Sequence, residues 1–180
     1  MHKDVLYIAY SEDEIRRRVR ELAAALQSEY ADKNPVFIGI LKGAFVFMAD
    51  LVRACGFPLE VQFLKASSYG FAAVTSGTVE VSMSVAAENR HILIVEDILD
   101  TGRTLKKLRD KLLAQNPASV KICAFLDKTE RREADVSADY TGFGCPSEFF
   151  VGYGLDYAER YRNLPYIGVL KPEIYLPDGS

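Results

Sequence analysis

Apolar and polar positions along this chain fall into two rhythms, and each predicts its own kind of element. Short apolar runs at Val5–Ala9, Val36–Leu41, Leu59–Leu64, Ile92–Val95, Val120–Leu126, Phe149–Tyr153 and Tyr166–Leu170 read as strands. Between several of them, apolar positions recur every three or four residues, the helical period. Ile15, Val19, Leu22, Ala23 and Leu26 line one face of a first helix, and Ser11-Glu12-Asp13-Glu14 opens it as a capping box. Arg16, Arg17 and Arg18 fall off that face and read as a solvated surface. Phe45, Met48, Ala49 and Val52 predict the inward face of a second helix over Ala44 to Cys55, with Gly56 as its C-cap. Leu105, Leu108, Leu112 and Leu113 mark a third helix, which ends at Asn116-Pro117. Strands alternating with helices predict a mostly parallel α/β sheet in a single domain, 1–180.

Two stretches break the rhythm. Residues 66–90 are small, polar and glycine-containing, with Val79 and Val81 alternating with polar neighbours. A mobile lid and an ordinary exposed hairpin both fit that composition. Residues 129–147 read as a charged, irregular connection.

Composition narrows the class. A chain of 180 residues with 49% hydrophobic and 26% charged residues can bury a substantial core. Its formal net charge of -3 argues against a partner bound mainly through phosphates of nucleic acid. Cys55, Cys123 and Cys145 lack any C-x-x-C spacing and read as reduced, buried thiols of a cytoplasmic protein. His2 and His91 are too isolated for a zinc site, and His91 reads as the polar start of a strand. The N-terminus lacks the apolar core of a secretory leader, and charged residues interrupt every long apolar stretch, so no membrane span is expected.

The chemistry concentrates in residues 92–105. A buried strand runs into adjacent carboxylates, Glu96 and Asp97, then into a short turn, Asp100-Thr101-Gly102-Arg103-Thr104, and then into a helix. In open parallel sheets, ligands bind beyond the carboxyl ends of the strands. A helix N-terminus offers unpaired N–H groups that suit a phosphate. Carboxylates repel phosphate, so Glu96 and Asp97 need sugar hydroxyls or Mg²⁺. Neither the Walker A pattern nor G-x-G-x-x-G is present.

The string of apolar residues, two acids, two apolar residues, Asp, Thr and Gly closely resembles the phosphoribosyl-diphosphate (PRPP) signature of the type I phosphoribosyltransferases. Further segments resemble the bacterial hypoxanthine-guanine branch of that family: Gly39 to Gly43, Ser67 to Gly70, Leu126-Asp127-Lys128 and Phe149 to Arg162. The resemblance implies a twisted, mostly parallel sheet flanked by helices, a small hood of N- and C-terminal segments, and a mobile lid over about 66–90. It implies transfer of phosphoribose from PRPP to hypoxanthine or guanine. Asp100 would be the catalytic base, with an N-cap as its structural alternative. Thr101, Gly102, Arg103 and Thr104 would wrap the 5′-phosphate, and Glu96 and Asp97 would take the ribose hydroxyls or Mg²⁺. Lys42, Gly43 and Arg162 would take pyrophosphate, with the Leu41–Lys42 peptide often cis. Lys128 would donate to the purine 6-oxo group, Phe149 would stack on the ring, and backbone groups of Phe150 and Asp156 would read the 2-position. Asp156 would also serve a second Mg²⁺. Ser68 and Tyr69 would begin the lid, which here has Ser67 where some relatives carry lysine. Relatives are commonly homodimers or homotetramers, with no nucleic-acid or membrane partner. A regulator of the same fold that senses nucleotides and binds RNA is the competing expectation.

Overall fold

The computed structural model describes residues 1–65 and 85–176. The predicted lid residues Ser68 and Tyr69 and the Val79/Val81 alternation lie outside that set. The chain runs β1 (Val5–Tyr10), α1 (Glu12–Tyr30), β2 (Val36–Leu41), α2 (Phe45–Ala54), β3 (Glu60–Lys65), β4 (His91–Leu99), α3 (Arg103–Leu113), β5 (Ser119–Asp127), β6 (Tyr140–Gly144), β7 (Phe150–Val151), β8 (Ile167–Leu170) and α4 (Pro172–Tyr175). A 3-10 turn, Thr129–Arg131, follows β5.

β2 to β6 form one parallel sheet in the order β3-β2-β4-β5-β6. Successive residues of its central strands point to opposite faces, as the pleat requires. Phe37, Leu93, Val95, Cys123 and Phe125 meet α1 and α2 on one face. Val36, Ile38, Ile92, Ile94, Ile122 and Ala124 meet Leu105, Leu108 and Leu112 of α3 on the other. Burial on both faces explains why these strands read as unbroken apolar runs.

The capping box is present: Ser11 Oγ accepts from the Glu14 amide, and Glu14 accepts from the Ser11 amide. Other expectations need correction. On α2 the buried residues are Phe47, Met48 and Leu51; Phe45 is 43% exposed and Ala49 also faces out. Apolar residues crowd most of the helix surface, and only the paired Asp50 and Arg53 mark its outer side. Its C-cap is Cys55 in an extended conformation, not Gly56. Leu113, 45% exposed, is not part of the α3 core. The span 129–147 contains β6, a short parallel edge strand. Arg18 is not simply solvated: it donates to the carbonyls of Gly142 and Thr141 and ties α1 to β6. Val85 and Ala87 are buried in the core on the α3 side of the sheet, with Ala86 between them exposed.

The first and the last two predicted strands leave the parallel sheet. β1, β8 and β7 form an antiparallel sheet in the order β1-β8-β7, built from both ends of the chain. All three cysteines are free; Cys123 and Cys145 are buried and Cys55 is half-buried. His91 does open β4, with Nδ1 2.8 Å from Ser119 Oγ. Among the described residues, no helix is long and apolar enough to cross a membrane.

Candidate active site

Sheet topology makes the cleft. From β2 the chain leaves through α2 to the outer strand β3; from β4 it leaves through α3 in the opposite direction, to β5. Neighbouring strands whose connections diverge leave a crevice at their carboxyl ends. β2 pairs with β4 only as far as Gly39–Val95, while β4 continues along β5 to the Leu99–Asp127 pair. Glu96 and Asp97 therefore lie within β4, beyond its pairing with β2, and not after its end. A cleft of about 270 Å³ opens there, lined by Gly43, Glu96, Asp97, Asp100, Thr101, Gly102 and Thr104 together with apolar residues of β2, β4 and α3.

Backbone geometry shapes this cleft. Gly102 is the N-cap of α3, at φ 78°, with no side-chain cap on the helix. That left-handed conformation favours glycine, and an added Cβ would lie 2.6 Å from Val136 Cγ1. The first amides of α3 thus face the cleft without a competing side chain. Gly43 matters for a different reason: a Cβ there would overlap the Asp97 carboxylate. The Leu41–Lys42 peptide just before it is cis.

Asp100 does not cap α3, since Gly102 holds that position. Its Oδ1 is buried without a hydrogen-bond partner, with Arg131 Nε 3.1 Å away. Arg132 donates to the Asp100 carbonyl at 2.7 Å and also pairs with the Asp127 carboxylate. An acceptor held in place with spare capacity is what a proton-accepting group needs. Arg131 and Arg132 belong to the stretch read as irregular, and only their place after the Leu-Asp-Lys segment hinted at a role.

Glu96 and Asp97 form a carboxylate pair. Burial, then hydrogen bonding to Asp97 and its charge, push the Glu96 carboxyl well above the usual carboxylate range. Such a pair is poised to accept hydroxyls or a cation. Among the described residues, no cluster of three or more His, Cys, Asp or Glu could cage a metal. Two hard oxygen donors without a full cage suit Mg²⁺, which keeps waters and substrate oxygens in its shell.

The other predicted residues fall into separate groups. Arg103 points outward and pairs with Glu133, so its side chain is not part of the cleft lining. Lys42 is exposed and pairs with Glu159 at 2.9 Å. Arg162 pairs with Asp156 at 2.8 Å, and its Nε is buried without a hydrogen-bond partner. Lys128 is 7% exposed; its Nζ donates to the Glu148 carbonyl at 2.7 Å and sits 5.5 Å from the Phe150 ring centroid. Desolvation lowers its pKa below the ordinary lysine value. Two of its three N–H donors remain beyond that bond. Phe150 is core, while the Phe149 ring stacks on Tyr175 at 4.8 Å and meets Tyr157 edge-on at 5.4 Å.

A family model described as "Phosphoribosyl transferase domain" matches residues 10–158. The chain is 50% identical over 177 residues to a hypoxanthine-guanine phosphoribosyltransferase of Bacillus subtilis, covering 97% of this chain and 98% of that protein. This chain belongs to the phosphoribosyltransferase family, in its hypoxanthine-guanine branch. A hypoxanthine phosphoribosyltransferase of Staphylococcus aureus superposes with a TM-score of 0.89 at 43% identity, over 98% of this chain and 97% of that one. The phosphoribosyltransferase also matches a bifunctional TilS/HprT protein of Listeria monocytogenes at 49% identity, and there it spans only 27% of the relative's length. The fold is the type I phosphoribosyltransferase fold, with a five-stranded parallel sheet.

Proposed function

We propose that this phosphoribosyltransferase moves the 5-phosphoribosyl group of PRPP onto hypoxanthine or guanine, releasing pyrophosphate and forming IMP or GMP in purine salvage. The observation that carries this is the single cleft joining the Glu96–Asp97 pair to the side-chain-free N-terminus of α3. An anion cradle beside hydroxyl acceptors matches a sugar phosphate. The amides of α3, with the Thr101 and Thr104 hydroxyls, take the 5′-phosphate. Glu96 and Asp97 accept from the ribose hydroxyls or would hold Mg²⁺, and Asp156 would serve a second Mg²⁺. When bound, that ion offsets charge on the pyrophosphate leaving group.

The purine N9 attacks the anomeric carbon as the bond from that carbon to the pyrophosphate oxygen breaks, through an oxocarbenium-like transition state. Asp100 accepts or holds the proton at the imidazole edge of the base. Amides at Lys42–Gly43, with the Lys42 and Arg162 side chains, receive the pyrophosphate. Lys128 donates to the 6-oxo group, Phe149 stacks, and backbone groups of Phe150 and Asp156 read the 2-position. Adenine would bring an amino donor against Lys128 and leave buried donors unmet, at about 1–3 kcal/mol.

We place the protein in the cytoplasm as a homodimer or homotetramer. The free thiols and the exposed apolar residues Val61 and Phe63 on the edge strand β3 are consistent with that. A product assay with PRPP and Mg²⁺, taking hypoxanthine, guanine, xanthine, adenine and uracil one at a time, tests the proposal. Turnover of hypoxanthine and guanine but not adenine is expected. PRPP binding without turnover of any base, together with salt-dependent RNA binding, would replace it with the regulatory role.

A further inference from the structure

The segment after β7 folds back on the cations expected to receive pyrophosphate. Tyr157 and Arg160 form an antiparallel bridge, each backbone amide donating to the other's carbonyl. The two residues between them, Ala158 and Glu159, have φ of 50° and 63°. A two-residue hairpin loop with both residues left-handed has the geometry of a type I′ turn, where Asn-Gly or Asp-Gly is favoured. Glutamate is a costly choice in that conformation. Its side chain is fully employed. Glu159 Oε1 accepts from Lys42 Nζ at 2.9 Å, Oε2 lies 3.4 Å from an Arg162 terminal nitrogen, and the Glu159 amide donates to Asp156 Oδ2 at 2.9 Å. Asp156 closes the set through its own pair with Arg162. The hydrogen bond from Lys42 holds the Glu159 carboxyl below the usual range, so it stays charged at neutral pH.

We infer that Glu159 is an internal competitor for pyrophosphate: its carboxylate bridges Lys42 and Arg162 and must release them for the diphosphate of PRPP to engage both. This rests on the pyrophosphate role proposed above for those two cations. One carboxylate joining an ammonium to a guanidinium makes the same kind of contacts as a diphosphate, with fewer oxygens and less charge. It therefore keeps the two cations near each other without matching the diphosphate's strength. Lys42 and Glu159 are both largely exposed, so their pair is weak and readily exchanged, and the contact to Arg162 is long at 3.4 Å. Because the same carboxylate opposes PRPP entry and pyrophosphate retention, its removal should strengthen both together.

The test is Glu159→Gln, assayed for PRPP KM, hypoxanthine KM and kcat, with calorimetric titration of inorganic pyrophosphate in Mg²⁺. We expect PRPP KM and the pyrophosphate Kd to fall together by about two- to tenfold, as loss of one exposed and one half-buried pair allows, with hypoxanthine KM unchanged. Glu159→Asp should keep most of the wild-type values. Glu159→Gly, which suits the turn, should tighten pyrophosphate as Gln does while leaving the fold at least as stable. Unchanged or weaker pyrophosphate binding in both Gln and Gly variants would overturn the inference while leaving the transferase reading intact. A wild-type protein that neither turns over hypoxanthine nor binds pyrophosphate would remove both readings.

Discussion

The carboxylates of β4 and the cations that flank them are positioned by different physics. Glu96, Asp97 and Asp100 ride on the central strand of a parallel sheet and the turn that leaves it, where ladder hydrogen bonds and two buried faces fix the backbone. Lys42 and Arg162 come from loops, and their charged ends are held mainly by Glu159 and Asp156, with the Gly154 carbonyl also accepting from Arg162 Nη1 at 2.8 Å. The first group is preorganised by packing and needs no ligand to set its geometry. The second is held by contacts that a more highly charged ligand can replace. The proposed transfer reaction would gain from the division. The reacting sugar and base demand fixed partners, while the leaving group must enter as part of one substrate and depart as a product.

If the rigid half does the chemistry, Asp100→Asn should produce the largest effect. Loss of a positioned proton acceptor costs about 10²–10⁴ in rate. PRPP KM should stay within about threefold, because the α3 amides and threonines remain. The melting temperature should hardly move, since Gly102 and not Asp100 occupies the N-cap. Steady-state kinetics beside a thermal melt decides it: equal loss of kcat and PRPP affinity would make Asp100 a binding or structural group. Next in size is Lys128→Met. The proposed 6-oxo donor would go while the stem that packs near Phe150 is kept. The kcat/KM for hypoxanthine should fall about 10- to 100-fold. Adenine should lose nothing, so competition between the two bases reads the change directly.

Gly43→Ala probes the seam between the two halves. The added methyl would displace the Asp97 carboxylate from its place beside the loop. We expect PRPP KM to rise about tenfold or more and stability to fall by about 1–3 kcal/mol from overpacking. A variant with wild-type PRPP KM would show that Asp97 takes no part in holding the sugar.

The contrast between the halves also governs what could be read in the sequence. The β4–turn–α3 unit was legible because all of its information is local: an apolar run, two acids, a turn and a helical face, contiguous in 92–105. Parallel strands buried on both faces were legible for the same reason. The phase of α2 was harder to read, because Phe45, Val46, Phe47, Met48, Leu51 and Val52 leave only the paired Asp50 and Arg53 to mark its outer side. β6 was hidden because two glycines interrupt the short run Tyr-Thr-Gly-Phe-Gly, whose place is set by β5 and by Arg18 from α1. Arg131 beside Asp100 and Glu159 beside Lys42 were invisible for a third reason. Glu159 lies 117 positions from Lys42, and only the folded chain brings them together. Side chains that position one another across loops leave no spacing to read.

The smallest expected effect concerns the electrostatic state of the rigid half. The folded protein holds the Glu96 proton to a pH well above the ordinary value of 4.5, because burial and Asp97 disfavour its ionisation. In the window from about 4.5 up to the raised value, the folded state binds a proton that the unfolded chain has released. Stability contributed by this group is therefore full below that window and declines as pH rises through it. Urea midpoints measured stepwise from about pH 5 to about pH 8 should fall for the wild type and fall less for Glu96→Gln, which cannot ionise. Saturating Mg²⁺ and PRPP should flatten the wild-type decline, because a ligand that favours the ionised pair opposes the proton. Parallel pH profiles for wild type and variant would locate the strain elsewhere, and would mean that Glu96 and Asp97 already stand ionised side by side before substrate arrives.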